Sequence, residues 1–210
     1  MYKKILKQYW GYDSFRGIQQ EIIESIGAGK DTLGLMPTGG GKSITFQVPA
    51  LAKEGLCIVV TPLIALMKDQ VQNLRKRGIR ALAIYSGMNR QDIVTTLENC
   101  IFGNYKCLYI SPERLDSELF RAKLKKMNVS MITVDESHCI SQWGYDFRPA
   151  YLKIAKLLLQ HKMDMANEVN AKNEKIKKYM QDNWDDVKRS YIALVHGKVE
   201  KKKAPRVPST

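Results

Sequence analysis

No run of about eighteen apolar residues occurs in the 210-residue sequence, so nothing in it reads as a membrane-spanning helix. The start, "MYKKILKQYWGYD", lacks the apolar core and small-residue cleavage site of an export signal, and a cytoplasmic location is the expectation. Paired Cys-x-x-Cys spacing is also missing. Cys57, Cys100, Cys107 and Cys139 are scattered, and three of them lie in or beside apolar runs. Neither a zinc site nor a disulfide framework is indicated, and they read as reduced and mostly buried. Acidic residues are in deficit, 21 against 34 basic ones, for a formal charge of +13 and a pI near 9.5. That excess favours a polyanionic partner, because each neutralised phosphate releases counterions. It is divided between residues 1–155 (+7) and 156–210 (+6), so it is denser towards the end. The closing "KVEKKKAPRVPST" reads as a basic, Pro-bearing, disordered tail. No internal repeat is visible. What is present, 44% hydrophobic residues, suffices for one domain with a real core.

From Thr32 to Glu136 short apolar runs alternate with amphipathic segments. "TLGLM", "LCIVV", "ALAIY", "KCLYI" and "SMITV" suit strands covered on both faces. Between them "GKSITFQVPALAKEG", "LIALMKDQVQNLRKRG", "NRQDIVTTLENCIFG" and "RLDSELFRAKLKKMN" have helical spacing, and three of the four end in Gly. Strand then helix, repeated, predicts a parallel sheet with helices on both faces and ligands at the carboxyl ends of the strands. Beyond Tyr151 the pattern changes to one or two long helices rich in helix formers, followed by a shorter segment ending at Gly197. The expected organisation is therefore an α/β lobe over 1–155, a helical extension over 156–197 and a tail over 198–210.

The chemistry concentrates in two places. "MPTGGGKS", Met36 to Ser43, follows the first expected strand and opens the first expected helix. There Thr38, Gly39, Gly40 and Gly41 can turn backbone N–H groups inward as an anion nest. Lys42 reaches β- and γ-phosphates, and the Ser43 hydroxyl can ligate Mg²⁺. Met36 stands where the P-loop pattern G-x-x-x-x-G-K-[ST] has its first Gly, and a Gly-rich turn that only caps a helix is the alternative. The second place is Asp135 and Glu136 after "SMITV". Asp135 would hold Mg²⁺ through water, and Glu136 would orient or deprotonate an attacking water. Alone, an acidic pair after a strand is usually a solvated strand end. The glycine loop upstream gives it a partner.

With "FRGIQQEII", "MPTGGGKS", "TPLIALMKDQV", "YISPERL" and "DESHCISQWGYDFRPAY" in this order, residues 5–155 resemble the N-terminal RecA-like lobe of the RecQ-family DNA helicases of superfamily 2. The resemblance implies an ATP-hydrolysing motor moving 3′ to 5′ along single-stranded DNA at forked substrates. It also implies work in DNA repair and recombination, ATP and Mg²⁺ as ligands, and a place in the bacterial cytoplasm or nucleoid. Tyr12 would stack on adenine while Arg16 and Gln19 bond its edge; a packed aromatic and a solvated helix residue are the alternatives for Tyr12 and Gln19. Thr61, Ser111 and Arg114, at strand-to-helix junctions, would hold DNA phosphates, or simply start helices with Pro at the first position. The stretch after Glu136 would sense single-stranded DNA. Trp143 and Phe147 would stack on bases, or merely pack on the lobe, Arg148 would supply a charge contact, and His138 would link them to the acids.

The resemblance ends near Lys156, where the family would continue with a further strand, a second RecA-like lobe bearing an arginine finger, a zinc-binding subdomain and a winged helix. Two expectations follow. The chain by itself binds ATP·Mg²⁺ weakly to moderately, hydrolyses it poorly and does not unwind DNA unless a second polypeptide supplies the other lobe. No zinc belongs to this chain. Two other readings stay open. One is an ATP- and DNA-binding module without productive turnover. The other is a P-loop GTPase or small-molecule kinase, for which the N-K-x-D guanine signature is missing.

Overall fold

The computed structural model describes residues 1–34, 36, 39–136 and 150. The extension and tail expected over 156–197 and 198–210 lie outside the described residues. Two helices, α1 (Tyr2–Trp10) and α2 (Gln19–Gly27), precede the glycine loop. Then follow α3 (Lys42–Ala52), β1 (Leu56–Val60), α4 (Ile64–Lys76), β2 (Ala81–Ile84), α5 (Arg90–Phe102), β3 (Cys107–Ile110), a 3-10 turn (Pro112–Arg114), α6 (Glu118–Leu124) and β4 (Val129–Val134). The four strands form one parallel sheet in the order β2-β3-β1-β4.

Each strand is a short apolar run because it is covered on both faces, and all five residues of β1 are buried. Side chains alternate along the pleat. Leu56, Ile58 and Val60 join Leu108, Ile110, Ile132 and Val134 in a core under α5 and α6, to which Leu97 and Phe120 contribute. Cys57, Val59, Cys107, Tyr109 and Met131 face the opposite layer with Ile22, Phe46, Met67 and Leu74 from α2, α3 and α4. Shifting one strand by a single residue would exchange these two sets, so the apolar faces fix the register. Val60 pairs with both Ile110 and Val134, and Ile84 with Ile110, which aligns the strand ends. The ladder continues one residue further, with Thr61 N–H donating to Ile110 O, Ser111 N–H to Ile84 O and Asp135 N–H to Val60 O. Thr61, Ser111 and Asp135 therefore stand in a row at one edge.

Two stretches differ from the sequence expectation. Thr32–Gly34 and Met36, within the expected strand "TLGLM", carry no strand pairing. The Thr32 hydroxyl instead bonds Ser25 and the Lys30 carbonyl, Leu33 is exposed, and Gly34 lends nothing to pack. The helix expected over Arg114–Asn128 is cut down to α6, because Ser117 bonds both the Arg114 carbonyl and Phe120 N–H and so starts the helix at Glu118. Among the described residues no helix is long and apolar enough to cross a membrane.

Candidate nucleotide-binding site

The carboxyl edge gathers the glycine loop and the acidic pair. Gly39 has φ 79° and Gly41 has φ 73°, left-handed values that an L side chain adopts at a cost, and Gly41 caps the N-terminus of α3. A Cβ on Gly39 would meet nothing within 4 Å, whereas one on Gly41 would come within 2.5 Å of Gln19 Nε2. Gln19, buried in the first turn of α2, donates to the carbonyls of Gly40 (3.0 Å) and Gly41 (3.3 Å) and accepts from Arg16 N–H (2.9 Å). Both ends of its amide are thus engaged with protein, and the solvated alternative for Gln19 does not describe it. These bonds fasten the loop's carbonyls on one side. Turns of this kind leave N–H groups for an anion, so the loop fits a phosphate chain.

Across the site, Lys42 Nζ lies 3.1 Å from Glu136 Oε1, joining residues 94 apart in sequence. Glu136 has φ 52°, the one positive φ outside glycine among the described residues, and its N–H donates to Asp135 Oδ1 at 3.0 Å. Backbone held in this region costs of order 1–3 kcal/mol and marks a place where position matters more than comfort. Asp135 is buried at the end of β4, and Ser43 is partly buried at the start of α3. Hydroxyl and carboxylate together suit a hard cation that keeps most of its water and takes phosphate oxygens, as Mg²⁺ does. No cluster of three metal-ligating side chains occurs among the described residues.

Tyr12 is exposed beyond the end of α1, with the Arg16 guanidinium 5.4 Å from its ring centre. Tyr12 is therefore not a core aromatic. Arg16, through its N–H to Gln19, links this ring to the glycine loop. Thr61 and Ser111 are buried at the strand ends. They are 0% and 2% exposed, and their hydroxyls have no hydrogen-bond partner among the described residues. A side chain so covered meets a phosphate only after its cover moves, and of the three junction residues only Arg114 is partly exposed. Thr38, His138, Trp143, Phe147 and Arg148 lie outside the described residues.

A polar group between α3, α4 and β3 has no motif to mark it in the sequence. Gln47 on α3, Gln70 on α4 and Tyr109 on β3 are mutually hydrogen-bonded. The signal for Gln47 was a polar residue inside the wholly buried run Thr45–Ala50. Burial pushes the Tyr109 hydroxyl well above its ordinary range, so it stays protonated and can donate.

The DEAD/DEAH box helicase family model matches residues 16–176. The chain is 48% identical over 156 residues to the probable ATP-dependent DNA helicase RecS of Bacillus subtilis, covering 74% of this chain and 31% of that protein. It is also 48% identical over 153 residues to the ATP-dependent DNA helicase RecQ of the same organism, covering 72% of this chain and 26% of that one. The chain thus spans less than a third of the length of these curated relatives. A hypothetical ATP-dependent RNA helicase from Sulfolobus tokodaii shares the fold at a TM-score of 0.59 and 20% identity, over 77% of this chain and 48% of that one.

Proposed function

Because the chain belongs to the DEAD/DEAH box helicases and carries a RecQ-type N-terminal lobe, we propose that its carboxyl edge is the ATP-binding half of a DNA-dependent motor. The observation that carries this reading is the 3.1 Å approach of Lys42 to Glu136, which brings a glycine loop and a carboxylate pair to one point. In this reading Thr38 to Gly41 cradle phosphates through backbone N–H groups, and Lys42 turns from Glu136 to the β- and γ-phosphates. Tyr12 stacks on adenine and Arg16 reaches its edge, while Gln19 holds the loop that both approach. Ser43, and Asp135 through water, would hold Mg²⁺, which neutralises charge on the phosphates. Glu136, released from Lys42, orients the attacking water and takes its proton.

The formal charge of +13 suits single-stranded and forked DNA. Arg114, and the backbone following Thr61 and Ser111, meet DNA phosphates, and the stretch with His138, Trp143, Phe147 and Arg148 reports that contact to Asp135 and Glu136. A bacterial cytoplasmic or nucleoid location, 3′ to 5′ movement and a second polypeptide closing the site complete the proposal. Phosphate release with and without single-stranded DNA tests it. Slow, DNA-stimulated release by the 210-residue chain that Lys42→Ala abolishes supports an enzyme lobe, with unwinding appearing only when a second lobe is added. ATP and DNA binding without any release would favour the module reading. Vigorous unwinding by the chain alone would contradict the need for a partner.

A further inference from the structure

Three polar side chains meet in the largely apolar layer between the sheet, α3 and α4, with Gln47 and Tyr109 buried and Gln70 partly exposed. Gln47 Nε2 donates to the Tyr109 hydroxyl at 2.9 Å and to Gln70 Oε1 at 3.2 Å, and the Tyr109 hydroxyl donates to the same Gln70 oxygen at 2.9 Å. The triangle is closed, since each member bonds the other two. Gln47 and Tyr109 are 5% and 0% exposed, and Tyr109 belongs to the cluster with Phe46, Met67 and Val71.

Its members come from three elements that each touch the carboxyl edge. Gln47 is on α3, which begins at Lys42 behind the glycine loop. Gln70 is on α4, which begins at Ile64 just after Thr61. Tyr109 lies just before Ser111 on β3. Apolar groups of matching shape would hold these elements together with little loss of stability, because a buried hydrogen bond mostly replaces one to water. Polar closure adds directionality. Apolar surfaces can slide past one another, but displacing one vertex of this triangle bends or stretches two bonds at once.

We infer that Gln47, Gln70 and Tyr109 are positioning residues that couple the glycine loop to the Thr61 and Ser111 junctions. The inference rests on the ATP and DNA reading of that edge proposed above. A phosphate seated on the loop shifts α3, and the triangle carries α4 and β3 with it. By linkage, DNA at the junctions then changes nucleotide affinity by the factor with which nucleotide changes DNA affinity.

The test is the affinity of the 210-residue chain for a non-hydrolysable ATP analogue, with and without a single-stranded oligonucleotide. The wild-type ratio should be about fivefold or more. In Tyr109→Phe and Gln70→Leu it should fall towards one, while each ligand alone binds within about twofold of wild type and melting stays cooperative. Gln70→Glu, which keeps the acceptor both donors meet, should retain coupling. A purely structural role would lower melting temperature and both affinities together and leave the ratio intact, which would overturn the inference. So would a wild-type chain that binds both ligands without coupling. A chain that binds neither nucleotide nor DNA, indistinguishable from Lys42→Ala, would remove the functional reading itself and the coupling with it.

Discussion

Replacing Gly41 with alanine should weaken nucleotide binding through a neighbour 22 residues away in sequence. At φ 73° the new side chain sits in left-handed backbone, which costs roughly 1–2 kcal/mol. Its Cβ would also lie 2.5 Å from Gln19 Nε2, so that amide must leave its bonds to the Gly40 and Gly41 carbonyls. At about 1 kcal/mol for each neutral bond, the displacement adds roughly 2 kcal/mol. The whole penalty is then about 3–4 kcal/mol, of which about half depends on Gln19. In a Gln19→Ala background the clash and the two bonds are already gone, leaving only the backbone part. The two substitutions should therefore be non-additive by about 1–2 kcal/mol, or about 5- to 30-fold in affinity. Titration of a fluorescent ATP analogue into the wild type, both single variants and the double variant gives the cycle directly, and urea melts give the same cycle in stability. An identical Gly41→Ala penalty in both backgrounds would refute the reasoning, because it would mean that Gln19 does not hold the loop.

Lys42→Met should leave stability within about 1 kcal/mol in urea melts, since its ion pair with Glu136 is partly exposed, at 36% and 22%. The same change should lower affinity for the ATP analogue by roughly 10- to 150-fold, the value of a lost charged hydrogen bond. Glu136→Gln should retain nucleotide within a few-fold and slow phosphate release by about 10²-fold or more, measured in single turnover. Burial pushes the Cys100 thiol up to about 12, above its ordinary value of 9.0. A raised thiol pKa contributes stability that is complete below the unfolded value and is lost as pH climbs towards the folded one. Urea melts between pH 9 and 10.5 should thus show wild-type stability falling faster than that of Cys100→Ala. Parallel curves would contradict that burial.

The sheet was legible because parallel strands under two helical layers have to be apolar on both faces. β1 coincides with "LCIVV", and β2, β3 and β4 fall within one residue of the expected runs. "TLGLM" is also mostly apolar but begins with Thr32, whose local hydroxyl bonds compete with pairing. Of α2 the sequence suggests no more than a helical position for Gln19, and α1 is not among the expected elements, although Leu6, Ile22 and Ile23 are core residues and Gly11 supplies a left-handed cap. At the site, residue types and order identified the glycine loop and the acids, because both chemistries are local in sequence. The lock of Gln19 onto the loop and the burial of Thr61 and Ser111 were not legible, since each depends on contacts between distant segments.

The central claim is that the carboxyl edge between the glycine loop and β4 is an adenine-selective nucleotide site. It is tested most directly by displacing a fluorescent ATP analogue from the chain in the presence of Mg²⁺. The account predicts saturable binding to one site, displacement by ATP but far less by GTP at equal concentration, and loss of binding in Lys42→Met. Absence of saturable binding, or displacement by GTP as effective as that by ATP, would contradict it.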